Sequence, residues 1–307
     1  MKDILRYFPQ SIYRIIEGQV EEKKNTLEEI RIRANKPIIL KACYSEEVID
    51  YRVTYKEIME ILQKICENSI YSYQNQIKNG FITLKGGHRV GITGNAIIEN
   101  NKVINLTYIS SLNFRIAREI KGCSKNVLKY ILNIEENSVY NTLIVSAPGA
   151  GKTTILRDIV RNISDGIVGF NGLTVGLIDE RGELAATYKG ISQNDLGIRT
   201  DVIDNIPKSI GMKMLIRSMA PKVIVADEIG CIEDINAINE AVCAGIKGIF
   251  TAHGGNFEEI LLNPILSNII NMHAFEKIIF LKNIGQRGTI DNVYTLNKKT
   301  GYIGYYR

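Results

Sequence analysis

A glycine-rich run lies between an apolar stretch and a helix-forming stretch near the middle of the chain, at residues 145–154. Its spacing follows the pattern G-x-x-x-x-G-K-[ST], except that Ser146 takes the place of the first glycine. Glycines let several backbone N–H groups converge on anionic oxygens, and the helix that follows adds the positive end of its dipole. The run therefore predicts a site that binds the phosphates of a nucleotide.

Two side chains in this run carry specific chemistry. Lys152 supplies a mobile cation for the β- and γ-phosphates, and the hydroxyl of Thr153 is placed to hold Mg²⁺. The sequence thus predicts ATP and Mg²⁺ as the cofactors. The residues that we assign to nucleotide binding are Pro148, Gly149, Ala150, Gly151, Lys152, Thr153 and Thr154.

A second motif follows at residues 223–228, where a β-branched run ends in two adjacent carboxylates. Such a run is typical of a buried parallel strand, and active sites of parallel sheets lie at the carboxyl ends of strands. Neighbouring strand residues point in opposite directions, so Asp227 can approach Mg²⁺ while Glu228 polarises the attacking water as general base. The alternative is that the pair opens a solvated loop and caps a helix over 232–244.

Polar segments also follow two other predicted strands, at 174–178 and 248–251. Asp179, Glu180 and Glu183 come after the first, and we expect Asp179 and Glu180 to line the γ-phosphate. The alternative is a charged loop with a helix cap. His253 comes after the second strand and could hydrogen-bond the γ-phosphate or report its loss to a neighbouring subunit, with a capping histidine as the alternative.

Arginines are candidates for a further role, because NTP hydrolases often take a guanidinium from an adjacent subunit to neutralise transition-state charge. Arg115 and Arg118 rank first, since they end the predicted first domain and could reach a neighbour's nucleotide. Ordinary ion pairing is the alternative. The remaining candidates are Arg89, Arg199 and Arg217.

The elements that position these residues suggest two domains, as expected for 307 residues. We predict a small α+β domain over 1–120, with a helix over 54–68 and a meander of strands at 80–84, 89–98 and 102–112. A connecting segment follows over 121–138. From 139 to 307, strands alternate with helices, which predicts an α/β domain with a mostly parallel sheet covered on both faces.

Composition narrows the class of protein. The chain is 45% hydrophobic and 23% charged, and it contains neither an apolar run of about 18 residues nor an export signal, so we expect a cytoplasmic protein. The net charge of +5 is not concentrated in one run and supports nucleic-acid contact only weakly. The five cysteines lack CxxC spacing, which argues against a zinc site.

Taken together, the phosphate-binding run, the carboxylate pairs and the runs at 86–91, 111–119 and 199–202 resemble the stage III sporulation AA family. The resemblance extends from about residue 27 to 254. That family is itself similar to the ATPases of type II secretion and type IV pili, which pair a small N-terminal domain with a RecA-like motor domain in hexameric rings. Residues 179–183 resemble their aspartate box, and residues 251–254 resemble their histidine box.

The resemblance implies a RecA-like P-loop domain, a homo-hexamer, and a cytoplasmic motor at the mother-cell side of a membrane. Such a motor would hydrolyse ATP to energise a secretion-like channel built from membrane-embedded stage III sporulation proteins. The secretion motors commonly have a glycine before the catalytic glutamate, whereas this chain has Asp227. Because Asp227 stands at the position of that glycine, its carboxylate could coordinate the metal directly.

Three other functions use the same nucleotide site. A RecA-like nucleic-acid-dependent ATPase, a translocase or loader, would need aromatic platforms and clustered cations, and the sequence shows only diffuse basicity. A small-molecule kinase would need an acceptor pocket, and a water-activating Glu228 would waste its ATP. In a non-enzymatic assembly switch, nucleotide would bind without turnover.

Overall fold

The computed structural model of the protein describes residues 2–282, 288–297 and 301–306. The described chain forms two compact units. The first contains the residues up to Arg118 and also the segment Ala186–Gln193, and the second contains Glu119–Ala185 and the residues from Asn194 onward. No sequence pattern indicated that the chain returns to the first unit at 186–193.

The first unit is built on a six-stranded antiparallel sheet with strand order β3-β2-β1-β6-β5-β4. Its strands are β1 (Leu27–Arg33), β2 (Ile38–Ala42), β3 (Ser45–Ile49), β4 (Phe81–Thr83), β5 (Arg89–Glu99) and β6 (Lys102–Arg115). Its helices are α1 (Lys2–Leu5), α2 (Gln10–Glu22), α3 (Tyr55–Ile65) and α4 (Gln74–Lys78), with a 3₁₀ turn at Ile70–Tyr73. The strands of the predicted meander are confirmed as β4, β5 and β6.

Local sequence explains the best-defined helix of this unit. Thr54 caps α3 in a capping box with Glu57, whose side chain accepts from the Thr54 backbone N–H. The apolar stripe of the helix includes Ile58 and Ile61, which are fully buried in the core of the first unit. The helix predicted over 54–68 is therefore confirmed, with its end at Ile65.

The second unit contains an eight-stranded sheet with strand order β13-β12-β14-β15-β9-β16-β17-β18. The strands of this unit are β7 (Leu132–Asn133), β8 (Ser138–Val139), β9 (Thr142–Ser146), β10 (Gly166–Ile167), β11 (Phe170–Asn171), β12 (Val175–Asp179), β13 (Thr200–Asp204), β14 (Val223–Ala226), β15 (Lys247–His253), β16 (Lys277–Leu281), β17 (Ile290–Asn297) and β18 (Gly301–Tyr306). The helices are α5 (Lys125–Ile131), α6 (Lys152–Asp165), α7 (Lys208–Met219), α8 (Ile232–Cys243), α9 (Phe257–Leu262) and α10 (Pro264–Asn271).

The strands from β13 to β16 in this order pair in parallel, and β17 and β18 continue the sheet in antiparallel fashion. Successive side chains of the central strands enter two separate cores: Ile144 lies in one, and Leu143 and Val145 lie in the other. Helix α6 packs into the first core and α8 into the second. The expected mostly parallel sheet, covered on both faces, is thus confirmed.

The register of the parallel strands brings their carboxyl ends to one edge. In the pairing of β14 with β15, Ala226 lies opposite Phe250, so the next residues, Asp227 and Thr251, are neighbours. In the pairing of β15 with β9, His253 lies opposite Ser146. The carboxylate pair, the histidine segment and the start of the glycine-rich loop therefore meet at the same edge of the sheet.

Within the described ranges, no helix is long and apolar enough to cross a bilayer. The longest helix of the second unit, α6, has 14 residues, whereas a membrane-spanning helix needs about 20.

Candidate nucleotide site at the carboxyl edge of the parallel sheet

The loop between β9 and α6 turns through two left-handed glycines. Gly149 has φ +81° and Gly151, the N-cap of α6, has φ +87°, a region that residues with a side chain rarely adopt. No side chain caps the first turn of α6. Left-handed residues in such a loop direct successive N–H groups toward one point, and the uncapped helix end adds more of them. The loop from Pro148 to Gly151 and the first turn with Thr153 and Thr154 can therefore hold an anion.

Lys152 starts α6 and is almost fully buried beneath the loop. Its Nζ lies 2.8 Å from the backbone oxygen of Ser146, 3.2 Å from the Ser146 Oγ and 3.1 Å from the backbone oxygen of Ala147. Burial lowers the pKa of the Lys152 ammonium, while the charges of Asp227 and Glu228 oppose that shift. A phosphate oxygen would replace polar partners that the ammonium already has.

Thr153 and Asp227 are in direct contact. The Thr153 Oγ1 donates to Asp227 Oδ2 at 2.7 Å, and the Thr251 hydroxyl donates to the other carboxylate oxygen. A hydroxyl and a carboxylate beside a phosphate-binding loop are the oxygen donors that Mg²⁺ uses together with nucleotide phosphates. Among the described residues, no group of three or more His, Cys, Asp or Glu side chains could hold a metal ion. Thr153 and Asp227 could therefore supply part of the coordination of a magnesium ion, and the phosphate oxygens of a bound nucleotide would supply more of it.

Glu228 follows in a strained backbone conformation with φ +51°, which is uncommon for a residue other than glycine. Its carboxylate has a partner on each oxygen: Arg181 pairs with Oε2, and the His253 Nε2 lies 3.0 Å from Oε1. The His253 Nδ1 lies 3.1 Å from the Lys152 Nζ. Because an ammonium group only donates, Nδ1 accepts, and Nε2 carries the proton that Glu228 accepts. A continuous polar chain thus joins Lys152, His253, Glu228 and Arg181.

The acidic segment after β12 divides into residues with different surroundings. The buried Asp179 accepts the backbone N–H groups of Glu183 and Ala185, each at 2.8 Å, so its carboxylate holds the following loop in shape. Burial raises the pKa of the Asp179 carboxyl, and these backbone hydrogen bonds partly offset the rise. Glu180 instead pairs with Lys208 on α7.

Both carboxylate pairs line one small cleft. Asp179, Glu180, Asp227 and Glu228 contribute to it, and its volume of about 20 Å³ is enough for roughly one water molecule. Arg181 also lines this cleft. The structure thus brings the two acidic segments together, with Glu228 as the carboxylate that also contacts the histidine at the end of β15.

Residues that the sequence analysis did not single out hold this arrangement together. Thr251 is fully buried, and its hydroxyl contacts both the Asp227 carboxylate and the backbone N–H of Glu228. Arg157, in the middle of α6, donates to the backbone oxygen of Glu183 at 3.1 Å and ties α6 to the acidic segment. Its spacing within α6 carries no motif, so only the tertiary structure identifies it.

The two arginines that rank first for a role across an interface, Arg115 and Arg118, lie in the first unit and differ in their contacts. Arg118 donates to the backbone oxygens of Lys24, Asn25 and Leu27, at 2.8 Å for Leu27. Arg115, at the end of β6, is exposed. An exposed guanidinium can reach a second molecule without first giving up contacts of its own.

Comparison with solved structures defines the class of fold. The ATPase DotB of Legionella pneumophila superimposes with a TM-score of 0.61 at 16% identity, over 95% of this chain and 82% of that protein. The pilus retraction motor PilT, solved with bound ADP, superimposes with a TM-score of 0.56 at 14% identity, over 95% of this chain and 81% of that protein. The chain has the mixed α/β fold of these two proteins, with a mostly parallel sheet in the second unit and an antiparallel sheet in the first.

Sequence comparison identifies the family. The family model of sporulation stage III, protein AA, matches residues 1–301, and this chain belongs to that family. Stage III sporulation protein AA of Bacillus subtilis (strain 168) is 36% identical over 306 residues, which cover 98% of this chain and 99% of that protein. The resemblance seen in the motifs is thereby confirmed.

Proposed function

We propose that this protein is an ATP hydrolase of the secretion-motor type, with a RecA-like P-loop domain. The observation that carries the proposal is the meeting of three strand ends at one edge, where Lys152, Thr153, Asp227 and Glu228 form one connected group. A phosphate-binding loop, a metal-binding pair and a candidate base are the parts that phosphoryl transfer to water requires. The fold shared with DotB and PilT supports the same function.

Each part has a defined task in this mechanism. Amides of the loop from Pro148 to Gly151 and the Lys152 ammonium would bind the β- and γ-phosphates. Thr153 and Asp227 would hold Mg²⁺, and the ion would supply positive charge beside the phosphate oxygens. Glu228 accepts a proton from water as the water oxygen attacks the γ-phosphorus. The bond from that phosphorus to the β–γ bridging oxygen breaks, and ADP and inorganic phosphate are the products.

His253 and Arg181 control the candidate base in this proposal. Both contact the Glu228 carboxylate, and His253 also contacts Lys152, so a phosphate that draws Lys152 away alters the hydrogen bonding of Glu228. We propose that Asp179 acts by shaping the loop that carries Arg181 rather than by touching the water. Its two oxygens already accept backbone N–H groups.

The test is phosphate release from Mg-ATP without any acceptor, together with ATP binding measured by calorimetry. Glu228→Gln should bind ATP but lose about 10²- to 10⁴-fold in turnover, the usual contribution of a general base. Lys152→Ala should lose binding. Glu240→Gln is the matched control, because Glu240 lies on α8 and pairs with Lys213 at the surface. Turnover by Glu228→Gln at the wild-type rate would refute the assignment, and binding without turnover by wild type would favour an assembly switch.

We further propose that the protein works as a homo-hexamer in the cytoplasm, peripheral to the mother-cell side of the membrane, and energises a channel of membrane-embedded stage III sporulation proteins. Its family membership and its fold support this assignment. Light scattering with and without a non-hydrolysable ATP analogue, on wild type and Lys152→Ala, tests the nucleotide-dependent assembly. Stimulation of turnover by single-stranded DNA would instead favour a nucleic-acid-dependent ATPase.

A further inference from the structure

Thr251 lies in the last part of β15 and contacts three successive residues of the carboxylate segment. Its hydroxyl donates to Asp227 Oδ1 and accepts the backbone N–H of Glu228 at 2.8 Å. Its backbone oxygen accepts the N–H of Ile229 at 2.8 Å. The side chain is fully buried, so water does not compete for these bonds.

We propose that Thr251 is the positioning residue of the hydrolytic site and holds both the metal-binding Asp227 and the candidate base Glu228. This inference rests on the proposed function and adds to it a residue that touches neither nucleotide nor water.

The Asp227 carboxylate is held from both sides by threonine hydroxyls. Thr153 contacts one oxygen and Thr251 the other. A hydroxyl that binds a metal ion through an oxygen lone pair keeps its hydrogen, so Thr153 could hold Mg²⁺ and still donate to Asp227. Thr251 holds the other carboxylate oxygen, and the two hydroxyls together fix the orientation of Asp227. Partners that orient a metal ligand in this way are typically worth 10- to 100-fold in metal affinity or activity.

The Glu228 backbone has a left-handed φ of +51°, a conformation that residues with a side chain seldom adopt. The strand pairing of β14 ends at Ala226, so the ladder does not supply an acceptor for the Glu228 N–H. The Thr251 hydroxyl supplies it, and the Thr251 carbonyl binds the next N–H. These two bonds hold the backbone in the conformation that directs the Glu228 side chain to His253 and Arg181.

The experiment compares two substitutions of the same residue. Thr251→Val keeps the shape of the side chain and removes the hydroxyl, whereas Thr251→Ser keeps the hydroxyl. Thr142→Val is the matched control: Thr142 is also fully buried, lies on the adjacent strand β9 and donates at 2.8 Å to a backbone oxygen, but it lies at the amino end of that strand.

Three measurements are made on each variant: the ratio of ATP affinity with and without Mg²⁺, the hydrogen-exchange rate of the Glu228 amide without nucleotide, and kcat with KM. Thr251→Val should lose about 10- to 100-fold in the magnesium enhancement of affinity and in kcat. In the same variant, the Glu228 amide should exchange its hydrogen faster, and the affinity for ATP without Mg²⁺ should stay at the wild-type value. Thr251→Ser should restore all three properties, and Thr142→Val should leave them at wild-type values.

The proposal is overturned if Thr251→Val keeps the magnesium enhancement and the amide protection of wild type, or if Thr142→Val loses them equally. A wild-type protein that binds Mg-ATP without hydrolysing it would refute the proposed function. The magnesium enhancement and the amide exchange still decide the role of Thr251 in that case, because neither measurement needs turnover.

Discussion

Asp158 holds helix α6 to the segment in front of α5, and its substitution should destabilise the second unit strongly. Oδ1 of this buried carboxylate accepts from the Gly122 N–H at 3.1 Å and from Arg161 at 2.6 Å. Oδ2 accepts from the N–H and the hydroxyl of Ser124, at 2.9 and 2.6 Å. Asp158→Asn keeps the shape but turns one of the two acceptor oxygens into a donor, which then faces another donor.

The magnitude follows from the bonds that are lost. Asparagine keeps one acceptor oxygen, so about two of the four bonds fail, and hydrogen bonds to a charged group are worth about 1.5–3 kcal/mol each. Because a buried neutral amide costs less to desolvate than a carboxylate, we expect a net loss of about 3 kcal/mol. At roughly 2–4 °C for each kcal/mol in a unit of this size, the unfolding temperature should fall by about 6–12 °C.

The pH dependence supplies an independent check. Burial alone would raise the pKa of Asp158, but hydrogen bonds from Ser124 and the contact with Arg161 outweigh it, so its pKa is lowered in the folded state. A lowered pKa contributes stability above the unfolded value, about 3.9, and that contribution is lost as pH falls through the folded value. The difference between wild type and Asp158→Asn should therefore stay constant from about pH 8 to pH 5 and shrink below about pH 4.

Thermal unfolding followed by circular dichroism measures both effects. Asp195→Asn is the control, since Asp195 makes the same kind of ion pair with Lys121 at an exposed position, where solvent screens it. That control should leave the unfolding temperature almost unchanged. A change of less than about 1 kcal/mol in Asp158→Asn, or a difference that grows toward acid pH, would contradict the reasoning.

Three further predictions concern single residues. Ser146→Gly removes one contact of Lys152, at 3.2 Å, but keeps the carbonyls that hold the ammonium, so calorimetry should show at most about a threefold change in ATP affinity. If Arg115 acts across a subunit interface, Arg115→Ala should lose turnover, and mixing it with inactive Glu228→Gln should restore part of it; no restoration would contradict this. Burial raises the pKa of the Cys66 thiol to about 11, so at pH 8 it should react with Ellman's reagent only when the protein unfolds, and rapid labelling in the native state would contradict this.

Sequence reasoning could identify the parts of the site that depend on local pattern. The glycines at 149 and 151 are required by backbone conformation, and the strand over 142–146 that precedes them has the apolar centre 143–145. The run at 223–226 has the same character. The conformation of such segments can be predicted from their own residues, because a buried parallel strand needs apolar side chains on both faces.

The remainder depends on which strands become neighbours. Thr251 contacts Asp227 because β15 pairs with β14, and no feature of either segment alone specifies that pairing. The sequence does not distinguish the roles of Asp179 and Glu180. In the structure, the buried Asp179 carboxylate accepts backbone N–H groups, whereas the Glu180 carboxylate pairs with Lys208, 28 positions away. The strand over 200–204 was also missed, because its partly buried, charge-bearing pattern does not match that of a central strand.

The contacts of the site residues determine what a phosphate group would compete with. Lys152 donates to two backbone oxygens and contacts His253, and Thr153 donates to Asp227. In the proposed function, phosphate oxygens would compete with these partners, and the net gain in binding free energy would be the difference between the two sets of bonds. Because His253 contacts both Lys152 and Glu228, a change in the contacts of Lys152 would also change the surroundings of the candidate base. In the proposed function, phosphate binding and the activation of water would thus be coupled through the same side chains.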